Sequence, residues 1–190
     1  MTLYVALLRG INVGGHNKIK MADLREALKE LGLSGVQTYI QSGNVIFASA
    51  DNEALLRERI EQQIYKVFGL TIKVIIRSYS ELRQIADNCP FTEQQIAEAE
   101  ASSEGECLYV SMLLQEPAAE RIQKLQTIDL QKDQFHIAGN NIYLLYQKSI
   151  RNSKLSVQVE KLGVPSTVRN WKTINKLIAI CEEMDRNGVK

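Results

Sequence analysis

Two histidines, three cysteines and no Cys-x-x-Cys pair leave this sequence short of soft ligands. His16 falls in a loop and His136 in a strand-like run, neither with a cysteine at ligand spacing, so no metal site is expected. Cys89, Cys107 and Cys181 are far apart and odd in number, which suits a reducing cytosol better than a disulfide framework. Long apolar runs are missing as well. The run Leu3 to Leu8 is far too short to cross a bilayer, and MTLYVALLRG has neither a basic lead-in nor a small-residue cleavage site. A cytoplasmic protein without a membrane partner is therefore expected. An excess of one charge is also lacking: the formal net charge of +1 argues against a dedicated DNA coat and against an acidic buffer protein.

What is present suits an ordinary globular protein. The 190 residues are 45% hydrophobic and 24% charged, enough to build a core and too apolar for wholesale disorder. Leu3 to Leu8 reads as a buried strand. Met21, Leu24, Leu28 and Leu31 recur at helical spacing, with Gly32 as the stop. Val36 to Ile40 alternates like a half-exposed strand, Gly43-Asn44 offers a tight turn, and Val45 to Ser49 returns. Leu56, Ile60, Ile64 and Val67 mark a second helix; Ile72, Val74 and Ile76 mark a fourth strand. That order is the β-α-β-β-α-β ferredoxin-like module.

A second round follows. Ser78-x-x-Glu81 and Thr92-x-x-Gln95 form capping boxes for two short helices on either side of Pro90. Leu108 to Leu114 reads as a strand, and Pro117 as the first turn of a helix carrying Ile122 and Leu125. Phe135 to Ala138, Gly139-Asn140 and Asn141 to Tyr146 make another hairpin. Leu155, Val159 and Leu162 suggest a helix closed by Gly163, and a long helix starts at Trp171. The fold class is α+β: duplicated ferredoxin-like units, 1–78 and 79–190, the second bearing the extra C-terminal helix. With no low-complexity linker between them, the halves are expected to pack as one body.

The stretches "LRGINVGG" followed by "MADLREAL", "TYIQSGNVIF", "SKL" and "STVRNWKTINKL" together resemble the bacterial family known as domain of unknown function 1697. The resemblance covers nearly the whole chain. It implies a bacterial cytoplasmic α/β protein and implies no activity.

The glycine loop after the first strand is the leading candidate site. Gly10 and Gly15 keep the spacing of a Walker loop, yet His16-Asn17 stands where Lys-Ser/Thr is required, and G-x-G-x-x-G is absent. No cofactor is expected. There remains a glycine pair after a strand, flanked by Arg9, Asn12, Lys18 and Lys20, ahead of a helix start that favours an anion. The plainer alternative is a loop that needs positive φ simply to turn.

At the other end of the chain Arg169 precedes the last helix, where a cation is unfavourable unless an anion or carboxylate intervenes. The expected pocket for a phosphorylated or otherwise anionic small molecule thus joins Arg9, Asn12, Gly14, Gly15 and Arg169, with Lys18 and Lys172 at the rim. An ion pair with a glutamate is the alternative for Arg169. Trp171, Ile174, Leu177, Ile178 and Cys181 trace one apolar helix face, so Trp171 is expected in the core. Asp23 and Glu26 are explained by the first turn of a helix, and Ser42 by a hairpin turn. Catalytic residues stay unassigned.

Two rivals remain. Lys148 to Lys176 carries basic residues opposed only by Glu160, a candidate nucleic-acid surface, although the aromatic-rich RNP1 pattern is missing. Glu93 to Glu106 is acidic without a basic residue, a candidate protein-interaction stretch.

Overall fold

A computed structural model describes residues 1–189. The first sheet has the order β2-β3-β1-β4, built from β1 (Thr2–Leu8), β2 (Ser34–Tyr39), β3 (Asn44–Ser49) and β4 (Val74–Ser78). Its pairings are antiparallel throughout, with Val5 opposite Ile46 on one side and Arg77 on the other. Helices α1 (Met21–Lys29) and α2 (Glu53–Phe68) supply the crossovers. Their apolar stripes, Met21, Leu24 and Leu28 with Leu56, Ile60 and Ile64, meet Ala6, Leu8, Val45, Phe47, Val74 and Ile76 in one core. Fully burying such a side chain contributes about 1.5–3 kcal/mol, so these stripes fix which face each helix presents. Val67 departs from the expected stripe and is exposed.

The second sheet repeats the order as β6-β7-β5-β8. Its strands are β5 (Leu108–Leu113), β6 (Gln134–Ala138), β7 (Asn141–Leu145) and β8 (Ser166–Asn170), with α5 (Ala119–Gln126) and α6 (Lys154–Glu160) between them. Two short helices, α3 (Tyr79–Asp87) and α4 (Glu93–Ser102), join the rounds, and α7 (Trp171–Arg186) ends the chain. The architecture is a duplicated ferredoxin-like fold with a C-terminal helix. No helix among the described residues is long and apolar enough to cross a membrane. By contact the chain divides into Met1–Ala86 with Asn175–Lys190, and Asp87–Ile174.

Local chemistry accounts for most boundaries. Thr92 Oγ1 accepts from the Gln95 N–H while Gln95 Oε1 accepts from the Thr92 N–H, so the capping box opens α4. Ser78 and Glu81 exchange the same pair of bonds ahead of α3. Gly139-Asn140 is a two-residue hairpin between Ala138 and Asn141.

The first hairpin differs from the expected Gly43-Asn44 turn. Tyr39 pairs with Asn44, and the four residues Ile40 to Gly43 make the turn. Asn44 is needed elsewhere: its side-chain amide donates to Tyr39 O and Ser42 Oγ. Pro117 lies just before the N-cap Ala118 rather than inside α5. The strand β8 ahead of Trp171 is an element that the apolar pattern did not reveal, since its two buried positions are Thr167 and Arg169.

Candidate functional site

The loop from Arg9 to Lys20 is pinned at its ends and folds back on itself in its middle. There Val13 and His16 bridge across Gly14-Gly15, and the Asn12 N–H donates to Asn17 O at 3.2 Å. Leu8 N–H donates to Gly43 O and Arg9 N–H to Lys73 O, which anchors the exit from β1. Gly10, Asn12, Gly14, Gly15 and Asn17 all have positive φ, and every one is a glycine or an asparagine. Those residue types tolerate the left-handed region best, so the loop's conformation is written into its composition. A Cβ on Gly15 would meet nothing within 4 Å. Space therefore does not select glycine there; the φ of +81° does.

Asn12 organises the loop from within. Its Nδ2 donates to Ile19 O at 2.9 Å and to Gln41 O at 2.8 Å, and its Oδ1 accepts from the Ile19 N–H at 2.9 Å. The loop is thereby tied both to the start of α1 and to the β2–β3 turn. In that turn Ile40 has a φ of +48° while half exposed, a costly conformation for a β-branched residue.

A concavity of about 720 Å³ opens beside this loop, lined by Asn12, Gly15, Lys18, Ile19, Lys20, Asp23, Gln41 and Phe68. It combines two ammonium groups, two amide side chains, one carboxylate and an apolar wall. Lys20 is also the N-cap residue of α1 and gives no side-chain cap, so the helix's first N–H groups lack that partner. Asp23 stands in the same first turn and balances part of the positive end.

Of the expected site residues, Asn12, Gly15 and Lys18 line this concavity, while Arg9 and Gly14 belong to its loop without lining it. Arg169 and Lys172 lie in the second unit. Arg169, on β8, is only 8% exposed; its Nη1 donates to Thr167 Oγ1 and to Val168 O, and burial pushes its guanidinium down to about 10. The first unit has a counterpart: Arg77 faces Val5 as Arg169 faces Val110, and its Nη1 likewise donates to the preceding carbonyl, Ile76 O. Lys172 pairs with Glu106 at 2.8 Å on the surface. Trp171 is half-buried against Ala99, Cys107, Leu108 and Leu145. Burial pushes all three thiols up, which leaves none of them primed as a nucleophile.

As site residues, sequence reasoning passed over Ile19, Gln41 and Phe68, explained Asp23 by the first turn of a helix, and noted Lys20 only as a flank. Topology holds the signal that was missed. In a ferredoxin-like unit the β1–α1 loop, the β2–β3 turn and the end of α2 all fall at one end of the sheet.

No curated protein matches the chain. Among solved structures, a conserved bacterial protein from Streptococcus pneumoniae is similar, with a TM-score of 0.69 and 29% identity over 94% of this chain and 97% of that one. The model of a family described as protein of unknown function, DUF1697, matches residues 1–143, from the first strand through the glycine loop and into β7, and the chain belongs to that family.

Proposed function

We propose that the concavity beside the Gly14-Gly15 loop binds a phosphorylated or otherwise anionic small molecule with an apolar body. The observation that carries this reading is the convergence of Lys18, Lys20 and the start of α1, without a side-chain cap, on a space walled by Phe68 and Ile19. An anion at a helix start gains about 0.3–1 kcal/mol on the surface and up to about 2 where partly buried. Charge-assisted bonds to the lysines add about 1.5–3 kcal/mol each. The apolar wall would take a base, ring or short chain, while Asn12 and Gln41 offer polar contacts. Asp23 sets a limit: it repels an anion placed against it, and favours a ligand that also offers a hydroxyl or amine there.

The nucleic-acid alternative gains little support. A continuous basic face between Lys148 and Lys176 is interrupted, since Arg169 is buried and Lys172 is paired with Glu106. The site is read as a binding site, with turnover unassigned.

A thermal-shift comparison of AMP, glucose 6-phosphate and pyridoxal phosphate tests the reading. A ligand at a hundredfold excess over its Kd should stabilise the protein by about 2.7 kcal/mol. Lys18→Glu and Gly15→Val should each reduce that shift. Equal shifts in Lys18→Glu and the parent protein, or none with any of these anions, would sink the proposal.

A further inference from the structure

The second unit has a concavity of its own at one end of its sheet. It encloses about 470 Å³ and is lined by segments of the α5–β6 loop, the β7–α6 connection and the turn after α4. Lys132, Lys148 and Lys154 reach it from separate positions along the chain, and Glu104 and Asp133 are also in the lining.

This bowl is built by groups other than its lysines. Asp133 Oδ1 accepts from the Gln147 N–H at 2.9 Å and its Oδ2 from Ser153 Oγ, which locks the two long connections together. Lys148 O accepts from the Glu104 N–H at 3.1 Å and from Ser103 Oγ at 3.0 Å, which brings in the third segment. The frame therefore stands without help from any ammonium group. Among the described residues none of the three lysines forms an ion pair, whereas Lys29, Lys73 and Lys172 each have a glutamate.

The corresponding corner of the first unit shows what a closed version looks like. There Arg59, from α2, pairs with Asp51 and donates to Leu31 O at 2.6 Å, so one cation fills the angle between the α1–β2 and β3–α2 connections. In the second unit the connections are longer, 127–133 against 30–33 and 146–153 against 50–52. Three ammonium groups border open space instead of one guanidinium filling it.

We infer that this bowl is a second ligand site, independent of the glycine-loop concavity, for a small molecule carrying a diphosphate group. Both Asp133 oxygens are already engaged, so that carboxylate serves the frame. With Glu104 and Asp133 set against three lysines, a monovalent anion gains little net attraction. A compact group of several negative charges, long enough to touch lysines on both connections, gains from each. The bowl suits one small molecule better than a polymer, whose phosphates need a continuous track of cations.

The test is calorimetric titration of the full chain with inorganic pyrophosphate. Saturable binding is expected in Lys18→Glu, the background in which the glycine-loop concavity has lost its anion contact. The variants below are compared in that background, which separates this site from the one proposed above. Lys148→Glu should weaken it by about tenfold or more, the size of one lost charge-assisted bond. The double variant Lys132→Gln, Lys154→Gln should do the same without reversing charge, and both variants alter exposed side chains, so melting should stay at the parent value. No saturable binding up to roughly 10 mM, a Kd too weak to matter, would overturn the inference. So would binding that survives both lysine variants, or that disappears in Lys18→Glu. A single-stranded RNA that binds through these lysines with steep salt dependence, where pyrophosphate does not, would replace it with a nucleic-acid surface.

Discussion

The side-chain amide of Asn12 donates to the backbone carbonyl of Gln41 at 2.8 Å, joining two segments 29 residues apart in the chain. The same side chain exchanges two further bonds with the Ile19 backbone. Asn12 also holds a φ of +54°, a conformation that its short polar side chain tolerates better than most. One residue thus sets the shape of the glycine loop and its distance from the β2–β3 turn.

Asn12→Ala should therefore destabilise the first unit by about 1–3 kcal/mol, the range for losing several partly exposed hydrogen bonds. Asn12→Asp is the sharper variant. It keeps the acceptor for the Ile19 N–H but turns an oxygen toward two carbonyls, so it should be no more stable than the alanine. Urea denaturation of the three proteins checks the order; an aspartate as stable as asparagine would show that the Gln41 bond carries nothing.

Gly43 makes a second, steric claim. A Cβ there would lie 2.6 Å from Ile11 Cδ1 and 2.8 Å from Leu8 Cβ, at a φ of +75°. Gly43→Ala should cost about 1–3 kcal/mol for overpacking in addition to about 1–2 for the left-handed backbone. At Gly69, the αL cap of α2, a Cβ meets nothing within 4 Å at a φ of +68°. Gly69→Ala should lose the backbone part alone. Similar losses at the two positions would mean that the β2–β3 turn relaxes to admit the methyl group.

Much of this fold was legible because its signals are local. Apolar periodicity marked α1, α2 and most strands, and the capping boxes at Ser78 and Thr92 placed the starts of α3 and α4. β8 escaped because its two buried positions are the polar Thr167 and Arg169. The glycine loop announced Asn12, Gly15 and Lys18, all within one stretch. Gln41 and Phe68 carry no such mark: they join the concavity only once the sheet order brings three connections to one end. The repeated sheet position of Arg77 and Arg169 is equally invisible in sequence, since it depends on strand register.

Alkaline pH should reveal the buried phenols. Tyr146 is 1% exposed, its hydroxyl 3.1 Å from Ser156 Oγ, and burial pushes it up from 10.0 to about 12. Between those values the unfolded chain sheds a proton that the folded chain keeps, so stability falls as pH rises through that window. The loss is about 3 kcal/mol at most for this residue and is absent below it. Buried Cys181, pushed up from 9.0 to about 12, should start a similar decline about a unit lower. Tyr146→Phe should cost about 1 kcal/mol at neutral pH and flatten part of the alkaline limb. Melting measured from pH 8 to 11 in both proteins checks this; parallel curves would show that Tyr146 titrates as freely folded as unfolded.

The duplicated sheets also propose a stabilising change. Ser111 in β5 stands between Ile142 and Val168, as Ala6 in β1 stands between Val45 and Ile76. Both positions are fully buried, but the first unit uses a methyl group where the second places a hydroxyl. Among the described residues Ser111 Oγ has no hydrogen-bond partner. A buried polar group left unsatisfied costs about 1–3 kcal/mol, and alanine removes it while opening only the volume of one oxygen. Ser111→Ala should therefore raise stability by about 1 kcal/mol, read as a higher urea midpoint at unchanged slope. The reciprocal change, Ala6→Ser, should lower it by a similar amount, because it recreates the orphaned hydroxyl in the other sheet. If Ser111→Ala is instead destabilising, the hydroxyl has a partner such as an internal water, and the two sheets differ there for a reason of hydration.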